Sequence, residues 1–360
     1  MRSKLTALFL SAVMALSLFG CGAAESQSAQ STVSSVSQAA SSASTSESTV
    51  AAAFPVTVTD AAGREVTIEE EPKTLVSGYY ITTSMLIALD QQDKLAGIEA
   101  KAKSRPIYGL AAPELLELPS VGTTKEFDLE GCAALNPDLV ILPMKLKDTI
   151  PALEELGIQV LLVRPENMEQ LNETIELLGT ATGSSDKAAA LLAYNQETDA
   201  ELETLLNGAE KPTVYLAGNS NYLSTAGAKM YQNTVIELGG GVNVAAELED
   251  NYWADVSYEQ LLAWNPEVIV IAANADYTKD DILNDAQLAD LDAVKNGKVY
   301  ALPSAFEAWD SPVPSAMLGA RWMASTLHPD LYALESMQKD TTDFYSTFYG
   351  FEADAELVTQ

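Results

Sequence analysis

An internal repeat constrains the fold of this chain more than any other feature of its sequence. Glu130 is followed by five residues and then by Asn136-Pro137-Asp138, and Glu259 is followed by five residues and then by Asn265-Pro266-Glu267. A run of aliphatic residues comes directly after each copy. Because proline disfavours the helical conformation in the residue before it, each copy predicts a short helix that ends at Asn-Pro and precedes a buried strand. The repeat therefore predicts two related halves.

Predicted strands and helices alternate on both sides of one long helical segment. The strands are expected at 56–59, 64–68, 75–77, 95–98, 139–142, 160–163, 213–217, 268–272 and 299–302. Strands that alternate with helices form right-handed βαβ units and a mainly parallel sheet. The run from Asp186 to Asn207 has apolar residues at helical spacing and is closed by Gly208, which predicts one continuous helix. The predicted fold is therefore α/β, with two Rossmann-like lobes joined by one long α-helix.

The N-terminal residues predict a secretion signal followed by a flexible tether. Arg2 and Lys4 precede the apolar stretch from Leu5 to Phe19, which is too short to span a membrane and is typical of a signal peptide. The following Gly20-Cys21 is similar to a bacterial lipobox, which predicts lipidation of Cys21 at the extracytoplasmic face of the cell membrane. The alternative is an ordinary signal peptide with an incidental cysteine. Most residues from 26 to 49 are Ser or Thr, and such a segment cannot bury enough apolar surface to fold.

These patterns together divide the chain into five segments. The predicted domains are a signal peptide (1–20), a lipid-anchored Ser-rich tether (21–53), an N-terminal lobe (54–185), a connecting helix (186–208) and a C-terminal lobe (209–360).

The charge and the scarcity of histidine and cysteine exclude several classes of function. The chain has 51 acidic and 20 basic residues, a formal net charge of −31, which excludes binding to nucleic acid or to anionic lipid through a basic patch. His328 is the single histidine, and Cys21 and Cys132 are the two cysteines, too few for most His/Cys metal sites. No motif pairs a nucleophile with a base. We therefore expect no enzymatic activity and no cofactor, and we expect Cys132 to be a small core residue.

The lipobox, the Ser-rich tether, the segment from Val58 to Val66 and the paired Glu-x5-Asn-Pro motifs resemble the helical-backbone substrate-binding proteins of ABC importers. Members of that family deliver ferric siderophores, haem or cobalamin to a permease dimer with its ATPase subunits. The resemblance implies that Glu130 and Glu259 dock into arginine pockets of the two permease subunits. The alternative is that both are acidic residues stabilised at helix N-termini. A surface sensor lipoprotein of the same fold would not need both glutamates.

Candidate ligand-binding residues follow from the predicted topology. In open parallel sheets, ligands bind beyond the carboxyl ends of the strands, and a cleft between two lobes collects these ends. Residues after the predicted strands lie at 78–80, 101–108, 143–145, 164, 219–222, 274 and 306–309. The candidates in and around these segments are Tyr79, Tyr80, Arg105, Tyr108, Lys125, Lys145, Tyr222, Trp253 and Trp309. Trp309 has an alternative role, which is to anchor the proline-rich turn that follows it.

Basic residues in this acidic chain indicate the charge of the ligand. Seven of them lie between residues 101 and 164, and a cationic mouth on an acidic protein attracts an anionic metal chelate. Arg105 is the strongest candidate for contact with an anionic ligand, because the proline after it prevents it from continuing a helix. The alternative is a solvated loop arginine.

The resemblance leaves several ligands open. Trp253 stands where cobalamin binders of the family carry a pocket tryptophan, but the equivalent position in the first lobe is Thr124, so a ferric siderophore is favoured over cobalamin. Haem would use a tyrosine from the set Tyr79, Tyr80 and Tyr222 as its axial ligand. An oxyanion such as molybdate is a further alternative.

Overall fold

The structure is a computed structural model that describes residues 54–248 and 253–360. The strands in these ranges are β1 (Val56–Thr59), β2 (Glu65–Ile68), β3 (Leu75–Ser77), β4 (Leu95–Ile98), β5 (Leu139–Pro143), β6 (Gln159–Val163), β7 (Thr213–Ala217), β8 (Ser224–Thr225), β9 (Val242–Asn243), β10 (Ala254–Asp255), β11 (Val268–Ile271) and β12 (Val299–Ala301). The helices are α1 (Tyr80–Ala88), α2 (Pro106–Ala111), α3 (Leu129–Ala134), α4 (Ile150–Glu155), α5 (Met168–Thr182), α6 (Ser185–Leu205), α7 (Tyr231–Leu238), α8 (Tyr258–Trp264), α9 (Lys279–Leu283), α10 (Asp292–Lys295), α11 (Ala316–Leu327) and α12 (Leu334–Tyr349).

Two four-stranded parallel sheets form the two lobes, and they have the same strand order. The first sheet runs β4-β3-β5-β6, and the second, read in the matching direction, runs β9-β7-β11-β12. The central strands β3, β5 and β11 are buried along their whole length, as parallel strands covered by helices on both faces should be. The predicted two-lobe α/β fold with mainly parallel sheets is therefore confirmed.

The sequence repeat has the same structure in both lobes. Asn136 and Asn265 take the left-handed conformation, with φ of 48° and 43°, and end α3 and α8. The acidic residue that follows each Asn-Pro accepts the backbone N–H at the start of the neighbouring strand. Asp138 Oδ2 lies 2.9 Å from the N of Thr74, and Glu267 Oε2 lies 2.8 Å from the N of Thr213. These contacts set the register of β5 against β3 and of β11 against β7.

Helix α6 connects the two lobes, as the sequence predicts, and ends at Leu205 rather than Asn207. Its packing partners include α5 and α11. Arg321 of α11 donates to Glu201 of α6 (2.6 Å) and to Asp340 of α12 (3.0 Å), so these helices are tied together by charge-assisted hydrogen bonds. The exact lobe boundaries stay a prediction. No helix in the described ranges is long and apolar enough to cross a membrane.

Some elements differ from the sequence-based expectation. The sequence also predicts a helix over residues 148–156. That helix begins only at Ile150, because residues 144–149 form a 3₁₀ turn. The two-residue strands β8, β9 and β10 were not predicted, because they are too short to show a periodicity. The position of His328 before Pro329 predicts a cap on the surface at a helix end. His328 does end α11 but is buried, and its Nε2 lies 3.2 Å from the carbonyl oxygen of Gly240.

Candidate functional site

The carboxyl ends of strands from both sheets enclose a cavity of about 470 Å³. The first lobe contributes residues after β3 and β4, and the second lobe contributes residues after β7, β11 and β12. The lining residues are Tyr80, Ser84, Lys101, Ser104, Arg105, Pro106, Ile107, Tyr108, Asn219, Asn274, Ser304, Phe306, Glu307, Ala308 and Val313. The cavity thus lies where ligands bind in α/β proteins.

Arg105 is the cation at the centre of the first-lobe wall. It precedes α2, and its guanidinium carbon lies 3.9 Å from the centroid of the Tyr80 ring. Its Nε is buried and has no hydrogen-bond partner among the described residues. Lys101 lines the same wall in a left-handed conformation (φ 70°), which is uncommon for a lysine. The first lobe therefore presents positive charge to the cavity.

A buried carboxyl group, Glu99, lies behind this wall. Its oxygens accept hydrogen bonds from the hydroxyls of Thr83 (2.6 Å) and Tyr108 (2.8 Å). Burial raises the pKa of Glu99, and the two hydroxyls and the positive charge of Arg105 oppose that rise. Glu99 forms no ion pair with Arg105 in the part of the chain described here.

A second buried carboxyl group, Glu307, lies in the cavity wall between the lobes. It accepts hydrogen bonds from Ser84 of α1, from Ser315 Oγ (2.5 Å) and from Tyr349 OH (3.1 Å). Burial raises the pKa of Glu307, and the hydrogen bonds from Ser315, Ser84 and Tyr349 oppose that rise. Because Ser84 belongs to the first lobe, Glu307 connects the lobes at the base of the cavity.

The cavity contains a minority of the predicted ligand-binding residues. Tyr80, Arg105 and Tyr108 line it, and Tyr79 packs edge-on against Tyr80 at 5.3 Å between ring centroids. Lys125 is exposed before α3, and Lys145 is exposed after β5. Among the seven basic residues expected at the mouth, only Lys101 and Arg105 line the cavity.

Three aromatic candidates lie elsewhere. Tyr222 donates to Asp285 Oδ2 (2.9 Å) in a cluster outside the cavity, and Trp253 packs against Gly218. Trp309 has no exposed surface and donates from Nε1 to Tyr345 OH (3.0 Å). A side chain with no exposed surface is not open to the cavity, so the expected contact between Trp309 and a ligand stays a prediction. Trp309 anchors the turn, which was the alternative.

Sequence reasoning missed Ser84, Glu99 and Ser304. Ser84 lies within the apolar helix α1, and Glu99 comes directly after β4, where no motif distinguishes it. Across residues 54–248 and 253–360, no group of three or more His, Cys, Asp or Glu side chains is placed to hold a metal ion. The first-lobe wall and the amide and hydroxyl groups opposite it instead offer hydrogen-bond donors.

The two repeated glutamates occupy matching, exposed positions. Glu130 and Glu259 are each the second residue of a short helix, α3 and α8. Asp128 caps the first helix by accepting from the N of Gly131 (2.9 Å), and Ser257 caps the second by accepting from the N of Gln260 (3.1 Å). Backbone and Ser257 hydrogen bonds lower the pKa of Glu259, so it carries a negative charge at neutral pH.

One of the two cysteines lies within the residues that the structure describes. Cys132 is fully buried in the first lobe, and burial raises the pKa of its thiol to about 11. It is therefore the core residue that its sequence context predicts. Cys21 and the Ser-rich segment lie outside the described residues.

The chain belongs to a family of transport proteins. Residues 75–306 match the family described as periplasmic binding protein, and the chain therefore belongs to it. The proteins of this family are substrate-binding proteins of ABC importers, of the siderophore and vitamin B12 class. They act outside the cytoplasm together with permease and ATPase components, and the relatives are binding proteins for transport, not enzymes.

Individual relatives have different ligands in their names. The chain is 26% identical over 319 residues to the molybdate-binding protein MolA of Haemophilus influenzae, covering 81% of this chain and 90% of that protein. It is 26% identical over 258 residues to a cobalamin-binding protein of Halobacterium salinarum, covering 70% of this chain and 67% of the relative. A solved periplasmic solute binding protein from Veillonella parvula is 28% identical with a TM-score of 0.75, over 84% of this chain and 95% of the other.

Proposed function

We propose that this protein binds an anionic iron chelate of the ferric siderophore type between its two lobes and delivers it to an ABC permease. The observation that carries the proposal is Arg105, whose buried Nε has no hydrogen-bond partner among the described residues and whose guanidinium faces the cavity. A buried polar group without a partner is costly. A ligand that brings anionic oxygens to this guanidinium forms charge-assisted hydrogen bonds there.

The rest of the cavity wall supports an oxygen-rich anion. Lys101 adds a second positive charge, and the side chains of Asn219, Asn274 and Ser304 lie on the opposite wall. Amide and hydroxyl groups donate hydrogen bonds without adding charge. Because the whole chain carries a net charge of −31, a local pair of cations gives an anion a defined place on an otherwise repelling surface.

A bare oxyanion such as molybdate is the second candidate. It is favoured by the 26% identical relative named as a molybdate-binding protein, which aligns with 81% of this chain. The hydrogen-bond donors that support a ferric chelate also suit the oxygen atoms of an oxyanion. The two candidates therefore differ in size rather than in charge.

Calorimetric titration of the purified full-length protein tests the proposal. The panel is a ferric catecholate, a ferric hydroxamate, haem, cobalamin and molybdate. We expect saturable binding of one ferric chelate, weakened ~100-fold by Arg105→Ala, because a hydrogen bond to a charged group is lost. Arg164→Ala is the matched control, since Arg164 is exposed and lines a separate depression with Asp60 and Gln170.

Each other result has a distinct meaning. Binding of molybdate alone would select the second candidate. Binding of cobalamin would retain the transport function and contradict the role of the cationic wall. Binding of haem, whose propionates are anionic, would retain both the transport function and the cationic wall and would contradict only the ferric siderophore. If no member of the panel binds, the proposed ferric chelate and the oxyanion are both wrong, and a ligand outside the panel or a surface sensor becomes the better hypothesis.

We also propose that Glu130 and Glu259 contact the two permease subunits. Their support is geometric: both are exposed, both lie in the first turn of a capped helix, and both helices precede the same Asn-Pro turn. Carboxylates at equivalent positions of two similar lobes suit a partner with two similar subunits, where arginine would bind each carboxylate in bidentate fashion.

Uptake measurements in cells test this docking role. Glu130→Arg and Glu259→Arg should each strongly reduce uptake of the ligand identified by calorimetry, while the purified variants bind that ligand as the unchanged protein does. Glu197→Arg, at an exposed position of α6, is the control and should leave uptake unchanged. Normal uptake by both docking variants would show that these glutamates only stabilise their helices.

We further propose that Cys21 carries a lipid anchor. The proposal is supported by the preceding apolar stretch and Gly20-Cys21. Cell fractionation should find the Cys21→Ala protein in the soluble extracytoplasmic fraction and the Cys132→Ala protein in the membrane fraction. Membrane retention of Cys21→Ala would leave an uncleaved signal peptide as the explanation.

A further inference from the structure

Arg105 is half-buried, with a buried Nε, and it is held differently from the buried Arg321 of the same chain. Buried arginines are normally paired with carboxylates, as Arg321 is with Glu201 and Asp340 in this chain. Arg105 forms no ion pair among the described residues, and its guanidinium carbon instead lies 3.9 Å from the centroid of the Tyr80 ring. An aromatic face attracts a guanidinium through its quadrupole.

The topology places these two side chains together. Tyr80 is the first residue of α1, shortly after β3, and Arg105 precedes α2, after β4. Strands β3 and β4 are adjacent and parallel, so their carboxyl ends meet at one edge of the sheet. The packing of Tyr79 edge-on against Tyr80 further restrains the ring.

Two buried carboxyl groups that feel the charge of Arg105 are bound by other groups. Glu99 accepts from Thr83 and Tyr108, and Glu307 accepts from Ser84, Ser315 and Tyr349. Both feel the charge of Arg105, which lowers their pKa values against the effect of burial. Hydroxyl donors thus occupy the carboxylates that would otherwise pair with the arginine.

We propose that Tyr80 is a positioning residue that fixes the Arg105 guanidinium without neutralising it. A carboxylate would orient the guanidinium equally well, but the resulting ion pair would have no net charge with which to attract an anion. The phenol ring orients the guanidinium and leaves its positive charge available. Burial raises the pKa of Tyr80, so the ring stays uncharged at neutral pH. This inference rests on the proposed function only in naming an anion as the ligand.

Nuclear magnetic resonance of the full-length protein tests the positioning directly and without a ligand. The chain has five arginines, so few Nε–H signals are present, and Arg105→Lys identifies the signal of Arg105. A proton above an aromatic ring is shifted upfield by the ring current. We expect this upfield shift in the unchanged protein and in Tyr80→Phe, and its loss in Tyr80→Leu. An Arg105 signal without an upfield shift in the unchanged protein would overturn the proposal.

Titration with whichever anion of the panel binds then tests the consequence. Tyr80→Leu should weaken binding about tenfold, because it removes a cation–π contact, while Tyr80→Phe should stay within about twofold because it keeps the ring face. Tyr300→Leu, which alters a half-buried tyrosine that does not line the cavity, controls for a general loss of stability and should bind normally.

A double-mutant cycle separates positioning from a structural role. In an Arg105→Ala background, Tyr80→Leu should cause no further loss of affinity, because Tyr80 then has no guanidinium to hold. An equal loss in both backgrounds would show that Tyr80 acts independently of Arg105 and would overturn the proposal. If Arg105→Ala itself has no effect on binding, the proposed function fails, whereas the ring-current result still decides whether Tyr80 holds the arginine.

Discussion

The two lobes have the same framework but contribute different chemistry to the cavity. Leu75 pairs with Leu139 in the first sheet, and Val214 pairs with Val268 in the second, which makes Tyr80 and Asn219 equivalent in position. Both line the cavity, one with an aromatic ring beneath a cation and the other with a neutral amide. The shared framework therefore determines where the strand ends lie, while individual side chains determine what those ends bind.

The two lobes are not equivalent in the residues that follow β5 and β11. Lys145 and Asn274 occupy the same position of the repeat, after β5 and β11, yet Asn274 lines the cavity and Lys145 is exposed to solvent. The second lobe thus brings three strand ends to the site and the first lobe brings two. The cations that line the cavity, Lys101 and Arg105, therefore both belong to the segment that follows β4.

The largest expected effect concerns Trp309, an aromatic residue that fills the core of the second lobe. Trp309→Ala should lower the free energy of unfolding by about 4 kcal/mol, because it removes a fully buried ring and leaves a cavity. Urea denaturation measures this loss, and Trp253→Ala, at a half-buried position, should cost less. Trp309→Phe should preserve ligand affinity. If it weakens binding strongly, Trp309 contacts the ligand after all.

A pH-dependent effect should follow from Asp310 in the second lobe. Burial raises the pKa of Asp310 to about 6, although its hydrogen bond from the N of Ala273 (3.0 Å) opposes the rise. Because the folded state binds this proton more tightly than the unfolded state, whose pKa is about 3.9, stability is lost as pH rises from about 4 to 6. The loss amounts to about 3 kcal/mol.

The variant Asp310→Asn isolates this contribution. Its amide oxygen still accepts from Ala273, but it does not titrate. Urea denaturation at a series of pH values should show that the difference between the unchanged protein and the variant falls as pH rises through the window from about 4 to 6. A difference that does not vary with pH would mean that Asp310 titrates normally.

A smaller effect tests the non-equivalence of Lys145 and Asn274. Asn274→Ala should weaken binding of the anionic ligand about fivefold, the value of one neutral hydrogen bond, and Lys145→Ala should change it less than twofold. Calorimetry on the two purified variants measures both. A larger effect of Lys145→Ala would restore the broad cationic mouth that the sequence predicts.

The sequence predicted the framework well because its determinants are local. Asn136-Pro137-Asp138 and its second copy encode a helix end, a left-handed residue and a strand-capping carboxylate within a few residues, so pattern reading located both sheets. The strand at 213–217 has the predicted bounds. Helix α6 was predicted to within a few residues for the same reason.

The site was predicted less completely because it depends on contacts between distant segments. Arg105 and Tyr80 were both selected as following strands, but their stacking depends on the adjacency of β3 and β4. Glu307 receives its hydrogen bond from Ser84 across 223 residues of sequence, and no local pattern reports such a contact. The position of Trp309 after a strand does not determine whether its large ring turns toward the cavity or the core, and in the structure the ring is fully buried.

The smallest effect tests whether the framework is equivalent in both lobes. Asp138→Ala and Glu267→Ala each remove a carboxylate that accepts the N–H at the start of a central strand, at exposed sites where one such bond is worth about 0.5 to 1 kcal/mol. Urea denaturation should give two similar losses, and ligand affinity should stay unchanged, because both residues lie at the opposite ends of the strands from the cavity. Asp138→Asn and Glu267→Gln, which keep one acceptor oxygen, should recover most of the stability. A loss confined to one lobe would show that the shared motif is structural in that lobe and incidental in the other.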